Sequence, residues 1–247
     1  MTEPTEQRND LEVAAEEMRQ ESVRALRKRI DLAQSPPHFH TQEFSLPGRY
    51  RGKRLIDLDQ RYKAKIQAAL KATRAGHNVL IFGGIGSGKT HLAVCLLWER
   101  WKSLVTVGLD IWNEAAVLTH PEKGMRFRST SEIVGELKAA KATWKREDEI
   151  IDAHVRNEVL VLDDLGFEER SETVRNWLST LLDRRYQAMR QTIITTNLDP
   201  KDLSDAVDDR ITSRLIENGI MIHMDGHDYR RKIAEDNKRN IYTRDSD

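Results

Sequence analysis

The residues with the plainest chemical purpose are Gly83-Gly84-Ile85-Gly86-Ser87-Gly88-Lys89-Thr90, which satisfy the pattern G-x-x-x-x-G-K-[ST]. Glycines at this spacing let a loop turn its N–H groups onto phosphate oxygens, and a helix opening at Lys89 adds the positive end of its dipole. Lys89 then reaches the outer phosphates, and Thr90 offers its hydroxyl to Mg²⁺. Accident would place this pattern in a chain of such length on the order of one time in a hundred. A second element is Glu158 to Gly166, EVLVLDDLG, an apolar run ending in two acids. There Asp163 is suited to hold Mg²⁺ and Asp164 to orient or deprotonate an attacking water. Thr192 to Asn197, TIITTN, ends in an amide that would arrive beside Asp164 at the carboxyl edge of a parallel sheet. Asparagine ahead of Asp199-Pro200 also serves as an ordinary turn residue. Finally, Arg210 and Arg214 share one helical face of Asp209 to Leu215, DRITSRL. Either could stabilise charge on a neighbouring subunit's phosphate, or pair with Asp209 or Glu217 at the surface.

These groups need a frame that brings them together, and the hydrophobic pattern supplies one. Short apolar runs at Asn78 to Phe82, Val159 to Leu162, Thr192 to Thr195 and Ile220 to His223 read as strands buried on both faces. Helical patterns lie between them at Lys89 to Trp101, Thr130 to Trp144, Glu172 to Met189 and Asp202 to Glu217. The alternation predicts an α/β fold, a three-layer parallel sheet with helices on both faces. Ser103 to Gly124 is assigned neither strand nor helix. Residues 1 to about 34 read as an amphipathic helix through Leu11, Val13, Met18, Leu26 and Ile30, broken by Ser35-Pro36-Pro37. Arg49 to Arg74 is strongly basic, as either a solvated face or a nucleic-acid contact.

Composition excludes several classes. The 247 residues suit one domain with a short appendage, and 40 Lys+Arg against 40 Asp+Glu argue against a protein that coats polyanions. The single cysteine, Cys95, excludes an intramolecular disulfide framework or CxxC site and is read as core packing. His38-x-His40 lacks a third ligand and reads as loop. The opening MTEPTEQRNDLE has no apolar signal segment, and no run approaches about 18 apolar residues, so the expectation is a cytoplasmic protein with no membrane contact.

Taken together, GGIGSGKTHLA at Gly83 to Ala93, VLVLDDLG at Val159 to Gly166, TIITTNL at Thr192 to Leu198, DRITSRL at Asp209 to Leu215 and GHDYR at Gly226 to Arg230 resemble the AAA+ ATPases of the DnaC/IstB group. That group holds replicative-helicase loaders and the ATPase helpers of certain transposons. The resemblance covers about residues 48 to 232. It implies ATP and Mg²⁺ as cofactors, a nucleotide-binding set running from Gly83 to His91, and Lys89 with Thr90 as the Walker A pair. It further implies Asp163 and Asp164 as the Walker B pair, Asn197 as sensor, and Arg214 as arginine finger with Arg210 as its competitor. The group also implies strand order 5-1-4-3-2 and ATP bound between subunits of a homo-oligomer. Only Asp225 to Asp247 follow the last expected strand, too few for a helical lid bundle, so no C-terminal lid is expected. Aspartate at 164, where many AAA+ proteins carry glutamate, shortens the reach by one methylene.

The resulting domain reading is a helical N-terminal extension and linker over 1–47, an ATPase domain over 48–232 and a tail over 233–247. The expected function is loading of a hexameric replicative DNA helicase, with the N-terminal helix gripping the helicase and single-stranded DNA nearby. The alternatives are an ATPase helper of DNA transposition, and an adaptor that binds ATP without turning it over. Lys123, Arg126, Arg128, Lys138, Lys141, Lys145 and Arg146, with Phe127 and Trp144, form the expected single-strand surface, unless they are simply a solvated face.

Overall fold

The computed structural model describes residues 45–50, 52–104, 106–110, 115–119, 124–142, 146–166, 171–226 and 228–229, with backbone alone for 106–110, 115–119 and 204–205. The amphipathic helix expected before Pro36, His38-x-His40, Lys123, Trp144 and Lys145 lie outside the described residues.

Among the described residues, seven strands and six α-helices follow in order: α1 Lys63–Arg74, β1 Asn78–Gly83, α2 Lys89–Leu104, β2 Thr106–Asp110, β3 Ala115–Thr119, β4 Met125–Ser129, α3 Thr130–Ala142, α4 Glu147–Val155, β5 Val159–Leu165, α5 Glu172–Gln187, β6 Gln191–Thr196, α6 Asp209–Glu217 and β7 Gly219–Met224. Five of these strands form one parallel sheet in the order β4-β5-β6-β1-β7, with Val79 opposite Ile193 and Ile220, and Val161 opposite Phe127 and Ile193. Counting only these five, the order is the 5-1-4-3-2 that the sequence resemblance implied. β2 and β3 pair separately as an antiparallel hairpin, Thr106 opposite Thr119, inside the stretch the sequence left unassigned.

Alternation along the strands builds two cores, since successive side chains leave a strand on opposite faces. Val79, Ile81, Val159, Val161 and Ile193 face α1 and α2, with Leu92, Leu96 and Trp101 packed over them. Leu80, Leu160, Leu162 and Ile194 face the other way, under Ile133 of α3, Ile151 of α4, Leu178 of α5 and Ile211 of α6. This is why those strands read as unbroken apolar runs rather than alternating ones. The expectation of two buried faces fails for β7, an edge strand whose Ile222 and Met224 are buried while Met221 and His223 are exposed. β4 escaped the pattern because it is an edge strand, MRFRS, with only Met125 and Phe127 buried. The helix expected from Asp202 to Glu217 is in fact a 3₁₀ segment Pro200–Asp205 and then α6, restarted where the Asp208 carboxylate accepts from the backbone N–H of Arg210. α3 ends at Ala142, and α4 was missed because its three acids in the first turn hide a short apolar stripe.

A buried polar knot joins α4, α5 and β6. Arg185 is wholly buried, and its guanidinium donates to Thr192 Oγ1 at 2.9 Å, to the carbonyls of His154 at 2.8 Å and Asn157 at 3.0 Å, and to that of Gln191. These carbonyls sit at the C-terminal end of α4 and the start of β6, where helix and strand bonding leave oxygens unmatched. Beside it, burial first, then Arg128, Arg185 and Arg126, push the His154 imidazole down to about 4. Its neighbour Glu136, 3.2 Å from Nε2, is already paired with Arg128 and so does not hold an imidazolium. A histidine kept neutral in the fold binds its proton more readily when unfolded, so stability falls as pH drops from about 6.5 towards 4, by ~3 kcal/mol in all. Chemical denaturation across that range is expected to show a loss that His154→Gln lacks.

Among the described residues, no helix is long and apolar enough to cross a membrane.

Candidate functional site

The carboxyl ends of β1, β5 and β6 meet at a cavity of about 470 Å³, lined by Gly86 to His91, Asp164 and Asn197, and by Arg49, Tyr50 and Lys53 from the segment ahead of α1. Ligands of parallel α/β sheets bind at this edge, because the strands stop there while helix N-termini point in.

The loop from Gly83 to Gly88 turns so tightly that Gly83, Gly86 and Gly88 all have positive φ. A side chain at Gly83 would overlap the Met224 carbonyl of β7, and one at Gly86 the Asp228 carboxylate. Glycine is thus demanded here by the neighbouring chain as much as by any phosphate. Lys89 is buried, and its ammonium donates to Gly83 O at 2.9 Å, Gly84 O at 2.7 Å and Asn197 Oδ1 at 2.7 Å. The loop lysine and the amide at the end of β6, 108 residues apart, are therefore in direct contact.

Asp163 is buried and receives Thr195 Oγ1 at 2.6 Å together with the Thr90 hydroxyl, so the two groups suited to a metal are neighbours. Burial raises the Asp163 carboxyl above its usual range, opposed by those two bonds. A cation at this place would restore the charge that burial disfavours, and Ser87 Oγ, buried in the loop, has no hydrogen-bond partner among the described residues. The donor set fits a nucleotide with its divalent ion.

Asp164 is held differently. β5 and β6 run in register to Leu162 opposite Ile194 and resume with Leu165 opposite Thr196, which leaves one extra residue on β5. Asp164 takes up that bulge with φ of 58°, its N–H donating to Thr195 Oγ1 at 2.9 Å and its side chain on the cavity. Aspartate enters left-handed backbone with less penalty than longer acids, which gives a physical reason for its presence where a glutamate was the common expectation. Thr195, which fixes both acids, was not singled out from the sequence; only the register of β6 against β5 reveals it.

Sequence also passed over the strap that closes the cavity. Tyr50 is buried against Phe127 with ring centroids 6.4 Å apart, His91 Nε2 lies 2.9 Å from Arg54 O, and Cys95 Sγ lies 3.6 Å from Lys53 O. His91 reaches the cavity wall but its ring is spent on the strap: the Arg54 carbonyl can only accept, so Nε2–H donates, and burial lowers the imidazole's basicity. Cys95 is core, its thiol pushed up to about 12 by burial. On the far side the segment after β7 returns to the loop. Tyr229 donates its N–H to Gly86 O at 3.2 Å and its hydroxyl to Asp59, and Lys65 bonds His223 O at 2.8 Å.

The two arginines lie away from the cavity lining. Arg214 pairs with Asp183 of α5 and lies 5.1 Å over the Tyr186 ring, and Arg210 is exposed at 3.2 Å from its own N-cap, Asp208. Neither pairs with Asp209 or Glu217. The expected single-strand surface is corrected in part: Phe127 is buried under Tyr50 and offers no ring to a base, and Arg128 is engaged by Glu136. Its helix shows Lys141 5.9 Å from the buried Trp177 ring, a lysine lying along its own domain.

Comparison with known proteins agrees with this geometry. The model of the IstB-like ATP binding protein family matches residues 113–237, which takes in Asp163, Asp164, Asn197 and both arginines. An insertion-sequence ATP-binding protein of Sinorhizobium fredii is 27% identical over 178 residues, 66% of this chain and 50% of that protein. Another from Mycobacterium tuberculosis is 28% identical over 170 residues, 66% of this chain and 59% of its own length. The chain thus spans about half the length of the curated relatives it matches. Among solved structures, the DnaC helicase loader superposes with a TM-score of 0.56 at 22% identity, over 72% of this chain and 99% of that one. DnaI gives 0.56 at 21%, over 73% and 95%. At such identities the likeness is one of fold, a parallel sheet with helices on both faces, while the family match reaches further: the chain belongs to the IstB-like ATP-binding proteins.

Proposed function

We propose that this chain is a slow ATPase whose nucleotide state switches its hold on a hexameric replicative DNA helicase and on single-stranded DNA, loading the ring at the start of replication. The observation that carries the ATPase part is the convergence of Lys89, Asn197, Thr90 and Asp164 at one cavity, with Asp163 buried next to Thr90. Mg²⁺, held by Thr90 and Asp163, would offset charge on the phosphates. Lys89 would exchange its two loop carbonyls for phosphate oxygens, Asn197 would position the attacking water and Asp164 would accept its proton. Arg214 would leave Asp183 to meet a neighbouring subunit's phosphate when copies assemble, with Arg210 the other arginine on that helix.

What supports a loader is architecture: the shared fold extends over nearly the whole DnaC loader chain, whereas it takes in 64% of a DnaA domain III from Thermotoga maritima. The N-terminal arm, 1–47, is assigned the helicase grip, and the protein to the cytoplasm. The second reading, a helper of DNA transposition, draws its support from the insertion-sequence relatives. Size-exclusion chromatography with mass detection separates the two. A loader co-elutes with its host's replicative helicase in ATP and Mg²⁺, and loses the complex when residues 1–44 are removed. No complex, with ATP-dependent oligomers on duplex DNA instead, would favour the transposition reading.

A further inference from the structure

We propose that Arg49 is a second cation of the phosphate pocket, supplied by the same chain, which pairs with the outermost phosphate of a bound nucleoside triphosphate and so lets the site tell a triphosphate from a diphosphate. The assignment rests on the reading of the cavity as an ATP site.

Arg49 lies in a single 3₁₀ turn, Gly48–Tyr50, anchored on both sides. Leu46 before it and Tyr50 after it are buried in the core that also holds Phe127, and Tyr50 N–H donates to Pro47 O at 3.0 Å. The backbone is therefore fixed while the side chain stays in solvent, on the wall shared with Lys89, Thr90, Asp164 and Asn197. Its guanidinium rests 4.7 Å from the Tyr50 ring centroid, and among the described residues no carboxylate lies within ion-pair distance of it.

The charge balance of the site calls for such a group. Even with a divalent ion held by Thr90 and Asp163, a triphosphate brings its terminal group into a cavity lined by the Asp164 carboxylate, and Lys89 is the phosphate loop's own cation. A planar guanidinium matches the paired oxygens of a phosphate, and cation–π contact holds it flat until one arrives. Lys53, the other strap cation, lines the same cavity, but its backbone is held against Cys95 of α2 and its charge also bears on His91 there, so it serves as the comparison for Arg49. The diphosphate would reach Lys89 and the loop but leave Arg49 without an oxygen to bind.

The test uses the full chain, a fluorescent ADP and a fluorescent non-hydrolysable ATP analogue, each titrated with Mg²⁺ at concentrations where the chain is monomeric. Arg49→Ala is expected to weaken the triphosphate about tenfold and the diphosphate no more than about twofold, since one charge-assisted contact at an open site is worth about one decade. Arg49→Lys recovers part of the loss, Lys53→Ala shifts both nucleotides alike, and the melting temperature without nucleotide stays at the wild-type value. Equal weakening of both nucleotides by Arg49→Ala, or an unchanged triphosphate affinity, overturns the assignment. A wild-type chain that binds neither nucleotide overturns the ATP-site reading itself, and the role of Arg49 with it.

Discussion

Lys89→Ala is expected to weaken ATP binding about a thousandfold while leaving the fold intact, because the ammonium would make at least two charge-assisted bonds to phosphate oxygens, each worth about 2 kcal/mol. Its present partners explain why the protein survives the change. Gly83 O and Gly84 O lie on the loop at the cavity rim, where water can replace the ammonium, and Asn197 is exposed. Unfolding free energy is therefore expected to move by no more than about 1 kcal/mol. Calorimetric titration with ATP and Mg²⁺, beside a denaturant melt, reads both quantities. Normal affinity in Lys89→Ala would remove the phosphate loop from the site.

The second large effect is on turnover. Asp164→Asn is expected to bind ATP within about threefold of wild type and to hydrolyse it about a thousandfold more slowly, in the range that loss of a positioned proton acceptor costs. Asparagine tolerates the positive φ of the bulge as aspartate does, so the loss is chemical and not conformational. Asp164→Glu separates reach from geometry. The longer acid pays about 1 kcal/mol to occupy the left-handed backbone, and its carboxylate overshoots the place that the bulge sets for the shorter one. Its stability is expected to fall and its rate to stay below wild type. Phosphate release in a single turnover distinguishes the variants, and unaltered hydrolysis by Asp164→Asn would make the chain a binding adaptor with its turnover, if any, elsewhere.

Local chemistry was legible where a short segment carries its own instructions. The loop from Gly83 to Thr90 is specified by glycines and a lysine whose job is done within eight residues, and β1, β5 and β6 announce themselves because burial on both faces demands apolar side chains in sequence. The two arginines of α6 were legible as a face of a helix, though their partners were not: Asp183 and Tyr186 come from α5, a contact that only helix packing creates. β4 was illegible because an edge strand needs one apolar face, and two arginines on its other face mask the period. The joint at Asp208 was illegible because a 3₁₀ turn and an α-helix share nearly the same spacing of apolar residues.

Residue types within a few positions of one another were enough to read the alternation of strands and helices, the phosphate loop, the acid pair at Asp163 and Asp164 and the amide at Asn197, each as a local feature. The tertiary structure alone decided that Thr195 fixes both acids, that a register slip turns Asp164 into the cavity, that Arg185 seals carbonyls at the end of α4, and that Arg49 stands at the mouth of the site. The reason is that a threonine, a bulge or a lone arginine acquires its role from what the chain brings against it across tens of residues, and no local pattern records that approach.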